Sequence, residues 1–276
     1  MHMESSKQEI IKKPINKCFV SMSKNCLEIR PNETYFSATM LRSCLPMIIA
    51  ANALCLFVVI NKYEYDGFMI MFITSIIFLF FSLGIIKLFI SQITKISNIV
   101  FNRKTKKCYV YYRGITYIND LDDVIISGGA KTMISMHHRS AKGISVTKSI
   151  EIDDEWNIKV ITNYIKSFTS QGSDGLAIPT EYEWIDREKI SIAFPPLKAL
   201  RHYAPWPFCG KITDPLEKSL KIYMWPFYIL IYFPFNISAS LIWYPFSKIF
   251  NIKPHPVPEE AYEGDDSIRV TPEMAA

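Results

Sequence analysis

The stretch FMIMFITSIIFLFFSLGII, from Phe68 to Ile86, decides the fold of this chain, and it carries no charged side chain. As a helix with a rise of about 1.5 Å per residue, it is about as long as the roughly 30 Å hydrocarbon core of a bilayer. Its Leu, Ile, Phe and Val side chains each favour membrane insertion by roughly 0.3–0.6 kcal/mol. A buried helix of a soluble core is usually shorter and polar on one face. The stretch therefore predicts a membrane-spanning helix.

A second apolar stretch, SCLPMIIAANALCLFVVI, runs from Ser43 to Ile60, just before the first. The connection between them, NKYEYD at 61–66, is so short that two spans joined by it must be antiparallel. The sequence therefore predicts a transmembrane hairpin over residues 43–92.

A few polar side chains stand out in this hairpin. Asn52 lies near the middle of one span, and Ser75 and Ser82 lie in the other. Polar groups inside a bilayer usually face another helix, where a hydrogen bond contributes roughly 0.6 kcal/mol. We expect these three to be intramembrane contact points with a helix or a partner. Tyr63 and Tyr65, in the connection, are expected to anchor the hairpin at the membrane interface.

Basic residues flank the hairpin on both sides, whereas its connection holds one lysine and two acids. They are Lys12, Lys13, Lys17, Lys24, Arg30 and Arg42 before it, and Lys87, Lys95, Arg103, Lys104, Lys106 and Lys107 after it. Positive charge favours the cytoplasmic side. The N-terminal segment 1–42 and the chain after the hairpin are therefore expected in the cytoplasm. The polar first 40 residues predict no signal peptide.

The chain changes character after the hairpin. Short β-prone runs bounded by Gly, Asp or Lys follow one another, beginning with NIVFNRKTKKCYVYYRG at 98–114. Over 154–168 the apolar period shifts to three and four, which indicates one face of a helix. The apolar positions are Trp156, Val160, Ile161, Tyr164, Ile165 and Phe168. We predict a cytoplasmic domain over 94–172, in which a bent antiparallel sheet is closed by one helix.

A proline-rich juxtamembrane region, 173–221, precedes a third apolar segment at 222–247 and an acidic tail at 248–276. Trp206 and Phe208 are expected at headgroup level. Because the third segment contains several prolines, either a kinked span or a re-entrant hairpin turning at Pro234–Asn236 fits it, and the hairpin is favoured.

Composition and motifs argue against several classes of function. The net charge of +5 comes without an arginine-rich stripe, so no nucleic-acid partner is expected. Nucleophile-elbow, zinc-protease and phosphate-loop motifs are missing from the sequence. His137 and His138 are adjacent on a predicted strand, so they point to opposite faces and cannot easily share a metal. We expect no catalysis, no metal and no cofactor.

Part of the chain resembles bacterial membrane proteins with a pleckstrin-homology-like domain. The resemblance lies in the succession of the hairpin, the FNRKTKKCYVY turn, the INDLDDV segment and the closing helix. Those proteins carry a W/N-D-I-like segment after a basic turn, and Asn119–Asp120–Leu121 stands in that place here. This resemblance covers roughly residues 43–170. It implies a membrane α+β protein with a PH-like sheet domain.

The order of segments along the chain is similar to that of a proteobacterial domain of unknown function. The order is hairpin, FNRKT turn, DDEW helix, basic FPPLKA segment, proline-broken apolar segment and PHPVPEEA tail. That domain occurs in proteins encoded beside type VI secretion effectors. Unlike the usual pattern, this chain has no tryptophan before Asp120. The resemblance implies an immunity or accessory role at the inner membrane, and it supplies no catalytic residues.

The leading hypothesis is a multi-pass protein of the bacterial inner membrane that binds and neutralises an antibacterial effector without catalysis. Its partners would be the effector protein and the lipid bilayer, and a homo-oligomer is compatible with the sequence. The alternative is a membrane-anchored scaffold or adaptor for a secretion or envelope complex. A transporter or channel subunit is disfavoured because the spans hold no ionisable residue near the midplane.

Overall fold

The structure, a computed structural model, describes residues 15, 18–61, 68–128, 131–139, 145–152, 158–178, 195–209 and 215–267. The chain forms two compact units. The sheet unit comprises Met1–Tyr35, Thr94–Ile190 and Pro254–Ala276, and the helical unit comprises Phe36–Ile93 and Ser191–Lys253. The sheet unit is thus assembled from three stretches of chain, and each gap between them belongs to the helical unit.

Six helices of four residues or more, excluding 3₁₀ turns, lie in the part of the chain that the structure describes. They are α1 (Asn32–Asn61), α2 (Phe68–Thr94), α3 (Ile158–Gln171), α4 (Pro196–Tyr203), α5 (Pro215–Tyr223) and α6 (Trp225–Ile249). By length and composition, α1, α2 and α6 could each cross a membrane. The fold is therefore α+β with three long apolar helices.

The sheet unit contains two antiparallel sheets. The first has the order β1 (Phe19–Met22), β2 (Cys26–Ile29), β3 (Ile99–Asn102), β4 (Lys107–Tyr112) and β5 (Ile115–Asp120). The second has the order β6 (Ile125–Gly128), β7 (Thr132–Arg139) and β8 (Ser145–Ile152). Both sheets are simple meanders, except that the hairpin α1–α2 lies in the chain between β2 and β3.

The pairing of β2 with β3 brings the N-terminal segment into the sheet. Cys26 lies opposite Asn102, and Ile29 lies opposite Ile99. The two strands are buried along their whole length. The N-terminal segment therefore contributes core strands to the domain that follows the hairpin in the chain.

Local sequence explains the turns of this unit. The NRKTKK stretch forms the predicted turn between β3 and β4, where the Asn102 side-chain oxygen accepts hydrogen bonds from the backbone N–H groups of Lys104 and Thr105. Gly172 has a φ of +88° and its N–H donates to the Phe168 carbonyl at 2.8 Å. This left-handed glycine ends α3.

Helix α3 covers the core of the sheet unit with the predicted face. Ile161, Tyr164, Ile165 and Phe168 are buried. They pack in one cluster with β-strand residues from both sheets, including Phe101. Trp156 lies outside the described residues. The period of three and four thus predicted correctly which side of the helix meets the sheets.

The helical unit is built on the hairpin. Ser37 in α1 donates to Gln92 in α2 at 2.6 Å, and Asn52 in α1 donates to Ser82 in α2 at 3.3 Å. As the residue number rises on one helix, it falls on the other, so the two helices are antiparallel, as predicted.

The structure corrects the expectation of a hairpin that turns at Pro234–Asn236. Helix α6 stays helical through these residues. A π-helical turn at Tyr228–Tyr232 precedes Pro234, and in it the Phe233 N–H donates to the Tyr228 carbonyl, five residues back. The wider turn accommodates the proline ring, which in a regular helix clashes with the carbonyl four residues before it. The re-entrant hairpin is therefore wrong, and the segment is one continuous helix.

The two ends of α6 pack on different neighbours. Trp243, near its C-terminal end, is buried in a cluster with Leu41 of α1 and Ile93 of α2. Tyr232, near its N-terminal end, packs against Tyr203 of α4 with ring centroids 5.8 Å apart. The C-terminal part of α6 thus meets the ends of α1 and α2 that are nearest the sheet unit in sequence, whereas its N-terminal part meets α4.

Candidate functional site

The polar residues predicted inside the hairpin are partly brought together. The Asn52 amide donates to the Ile48 carbonyl of its own helix at 2.8 Å and to the Ser82 hydroxyl of the other helix at 3.3 Å. Ser82 is 2% exposed, whereas Asn52 is half-buried. The pair therefore ties the two helices together while one face of Asn52 remains accessible.

Ser75 does not join this pair. Its hydroxyl donates to the Met71 carbonyl, one turn earlier in the same helix, at 2.8 Å. A second interhelical bond, which was not predicted from the sequence, joins Ser37 to Gln92. Both residues lie outside the apolar stretches, where a polar side chain gives no signal of a helix contact.

The outward surface of the hairpin is apolar. Large exposed side chains occur along α1 and α2, among them Leu54, Phe57, Ile70 and Phe80, each at least 63% exposed. Such a surface suits lipid or an apolar partner helix. The accessible face of Asn52 is one polar exception on this surface, and the exposed Thr74 is another.

Two of the four predicted interface anchors lie within the described residues. Tyr63 and Tyr65 lie outside the described residues. Trp206 and Phe208 are 43% and 74% exposed. The Trp206 carbonyl accepts a hydrogen bond from the Trp225 indole at 2.8 Å, so α6 begins beside this aromatic pair. Exposed aromatic side chains of this kind are typical of membrane interfaces.

The acidic tail is docked on the sheet unit, which the sequence did not predict. The Asn102 amide donates to the carbonyls of Ala261 and Glu263 at 3.1 and 3.0 Å. Ala261 is buried in a small cluster with Val100 and Tyr109. Asn102 therefore both closes the β3–β4 turn and holds the tail.

Two further contacts hold the tail. The Ser23 hydroxyl donates to the Asp265 carboxylate at 2.5 Å, and the Ser267 hydroxyl donates to the same group at 2.5 Å. Burial by itself would raise the pKa of Asp265, but these hydrogen bonds outweigh it and hold the pKa below its ordinary value. At neutral pH the carboxylate is thus the charged acceptor that these hydroxyls require.

His255 begins the docked tail. Its ring stacks on Tyr111 with centroids 3.6 Å apart, and its backbone N–H donates to the Ile96 carbonyl at 3.0 Å. The His255 ring therefore packs against the sheet unit. This role is not predictable from the sequence, because a single histidine among prolines fits a loop equally well.

The two adjacent histidines have different partners. The His137 ring lies 2.8 Å from the Thr147 hydroxyl, and the His138 ring meets the edge of Tyr117 at 5.7 Å. Among the described residues, no group of three or more His, Cys, Asp or Glu side chains could hold a metal ion. The residues in these ranges therefore offer no preformed metal centre.

The segment Asn119–Asp120–Leu121 has a structural role. The Asn119 side-chain oxygen accepts the backbone N–H of His137 at 3.1 Å, which joins β5 of one sheet to β7 of the other. Asp120 ends β5 and precedes a short 3₁₀ turn at Leu121–Asp123. The motif thus links the two sheets.

Comparison with protein-family models, with curated proteins and with solved structures finds no match.

Proposed function

We propose that this chain is a non-catalytic protein of the bacterial inner membrane that binds and neutralises an antibacterial effector of a type VI secretion system. The observation that carries the membrane anchor is the antiparallel hairpin α1–α2, whose two helices are each long and apolar enough to span. The resemblance of the segment order to proteins encoded beside such effectors supports the immunity role.

The composition of the sheet unit supports a topology in which the hairpin alone crosses. Residues on both sides of α6, up to 178 and from 254 onward, belong to the sheet unit. Between them, α6 is the one described helix that is long and apolar enough to cross. A single crossing would leave the two sides of the sheet unit on opposite faces of the membrane. We infer that α6 lies at the cytoplasmic interface.

The sheet unit is proposed to be PH-like and cytoplasmic. Two antiparallel sheets share one core that a C-terminal amphipathic helix closes, as the resemblance implies. The basic flanks of the hairpin support its cytoplasmic placement.

Within this proposal the effector is met in the bilayer. A membrane-active toxin presents apolar helices, and the apolar outer surface of the hairpin with the half-buried Asn52 is a complementary surface. A hydrogen bond to Asn52 would add specificity to an otherwise uniform apolar contact.

A scaffold or adaptor is the second candidate, and one observation favours it. The sheet unit exposes apolar side chains at Ile118, Ile125 and Val146, which are 40%, 55% and 40% exposed. A soluble component could dock there without entering the bilayer.

Deletion of the gene in a strain with an active secretion system tests the immunity role. We expect the deleted strain to be killed by its siblings, and the full chain to restore survival. Asn52→Leu should reduce protection while membrane abundance stays unchanged. Ser75→Ala is the matched control, because its hydroxyl bonds only within its own helix, and it should protect fully.

Survival of the deleted strain beside toxin-producing siblings would contradict the immunity role and leave the scaffold. To separate loss of the Asn52–Ser82 bond from loss of a toxin contact, Ser82→Ala is measured in parallel. If Ser82→Ala is as defective as Asn52→Leu, the bond between the helices, and not a toxin contact, explains the defect.

A further inference from the structure

An open groove of about 550 Å³ lies within the helical unit, between α4 and the N-terminal half of α6. One wall is a single face of α4, formed by Leu197, Leu200, Arg201 and Ala204 at helical spacing. The other residues are Pro205, Phe208, Ile229 and Phe233. The volume lies in the range of small-ligand sites in proteins, roughly 300–1,000 Å³.

The described lining of the groove is apolar except for one charged side chain. Eight of the residues that the structure describes line it; seven of these are apolar, and Arg201 is the one that carries a charge. The opposite face of α4 is occupied, because Ala199 and Tyr203 are buried against α6. The apolar residues Leu197 and Phe208 are 82% and 74% exposed. The groove is thus an apolar trough with one cation at its side.

Contacts inside the helical unit place this groove beside the start of the apolar span of α1, where the proposed hairpin would leave the bilayer. Tyr203 of α4 lies under the guanidinium of Arg42, 6.0 Å from the ring centroid. Arg42 directly precedes the first apolar span. At the far end of α6, Trp243 meets Leu41 and Leu45 of the same basal part of α1. The part of α6 from Tyr232 to Trp243 therefore lies near the start of α1, through Tyr203 at one end and directly at the other.

An apolar trough beside a cation, at the water interface of a membrane, matches the chemistry of one class of ligand. The acyl chain of a phospholipid would fill the trough, and the anionic phosphate would pair with the guanidinium, which can form two parallel hydrogen bonds. Basic pockets on the cytoplasmic side of membrane helices bind anionic headgroups in this way.

We propose that the groove between α4 and α6 is a binding site for an anionic phospholipid, with one acyl chain along Leu197, Leu200 and Phe233 and the phosphate at Arg201. The site rests on the proposed interfacial placement of α6 and does not depend on the immunity role. It would hold α4 and α6 at the cytoplasmic leaflet.

Lipid binding to the purified full-length protein in a neutral detergent tests the site. Short-chain phosphatidylglycerol and phosphatidylcholine of the same chain length are titrated, and bound lipid is counted by native mass spectrometry. We expect phosphatidylglycerol to bind more tightly, and Arg201→Gln to weaken its binding by about tenfold or more, because the variant loses the charge-assisted hydrogen bonds to the phosphate. Leu197→Glu, an exposed change that puts a carboxylate at the groove, should also weaken it.

Lys218→Gln is the matched control, because this lysine is exposed on α5 and does not line the groove. It should leave binding unchanged. Equal binding of the two lipids, or no effect of Arg201→Gln, would overturn the proposal. Competition by glycerol 3-phosphate as effective as that of the whole lipid would show an anion site without an acyl chain. Because binding is measured without any toxin, this outcome is separate from the test of immunity.

Discussion

At the scale of the residue, two asparagines connect separate parts of the chain. Asn52 links α1 to α2 inside the hairpin, and Asn102 links the β3–β4 turn to the docked tail. An amide can donate and accept at once, so it can satisfy two neighbouring segments. From the sequence, Asn52 was predicted as a contact point because it interrupts an apolar run. Asn102 gave no such signal, because asparagine is common in any turn.

The carboxylate of Asp265 makes the docking of the tail dependent on pH. Its folded pKa lies below its unfolded value, which is about 3.9 for an aspartate. The charged group therefore stabilises the docked tail at every pH above the unfolded value, and that stabilisation is lost as the pH falls through the folded pKa. We expect residues 255–267 to exchange amide hydrogens faster below about pH 4, after correction for intrinsic rates.

Asp265→Asn should show the faster exchange at pH 7 and little further change on acidification. Asp266→Asn, at the exposed neighbouring position, is the control and should behave like the parent. Equal protection of the tail at pH 7 in the Asp265→Asn variant would contradict the role of this carboxylate.

At the scale of the element, a long apolar run made α2 predictable and a helical apolar period made α3 predictable. The strands were harder to predict, because their pairing is long-range. The strands Phe19–Met22 and Cys26–Ile29 are only four residues long, and β2 finds its partner β3 on the far side of the hairpin. Pairing across such a gap is set by the shared core and not by local residues. For α6, the prolines led to the wrong prediction of a re-entrant hairpin, because a π-helical turn lets a helix continue through a proline.

Helix α3 should carry much of the stability of the sheet unit. Phe168 is fully buried in the main core. Truncation of a buried aromatic side chain typically costs about 3–5 kcal/mol, so Phe168→Ala should unfold or sharply destabilise the unit. Lys166→Ala, on the exposed side of the same helix, should change the free energy of unfolding little. Denaturant unfolding of both variants, followed by circular dichroism, measures this, and equal midpoints would refute the packing of α3.

At the scale of the whole molecule, the main feature is that the sheet unit is formed by stretches of chain that are far apart in sequence. The sheet unit takes chain from before the hairpin, from after it and from the tail. The sequence predicted the hairpin and the sheet domain separately, because each depends on local hydrophobic pattern. It did not predict that the first strands and the tail join the same unit, and the proposed number of membrane crossings rests on this grouping.

The central claim is that the hairpin alone crosses the membrane, with the sheet unit and the tail on one side. Alkaline phosphatase, which is active only outside the cytoplasm, is fused at Glu64, at Gly129 and after Ala276. We predict activity at Glu64 and none at Gly129 or after Ala276. Activity after Ala276, with none at Gly129, would mean that α6 crosses and that the tail cannot join the sheet unit. Activity at Gly129 with none at Glu64 would invert the topology and contradict the cytoplasmic sheet domain.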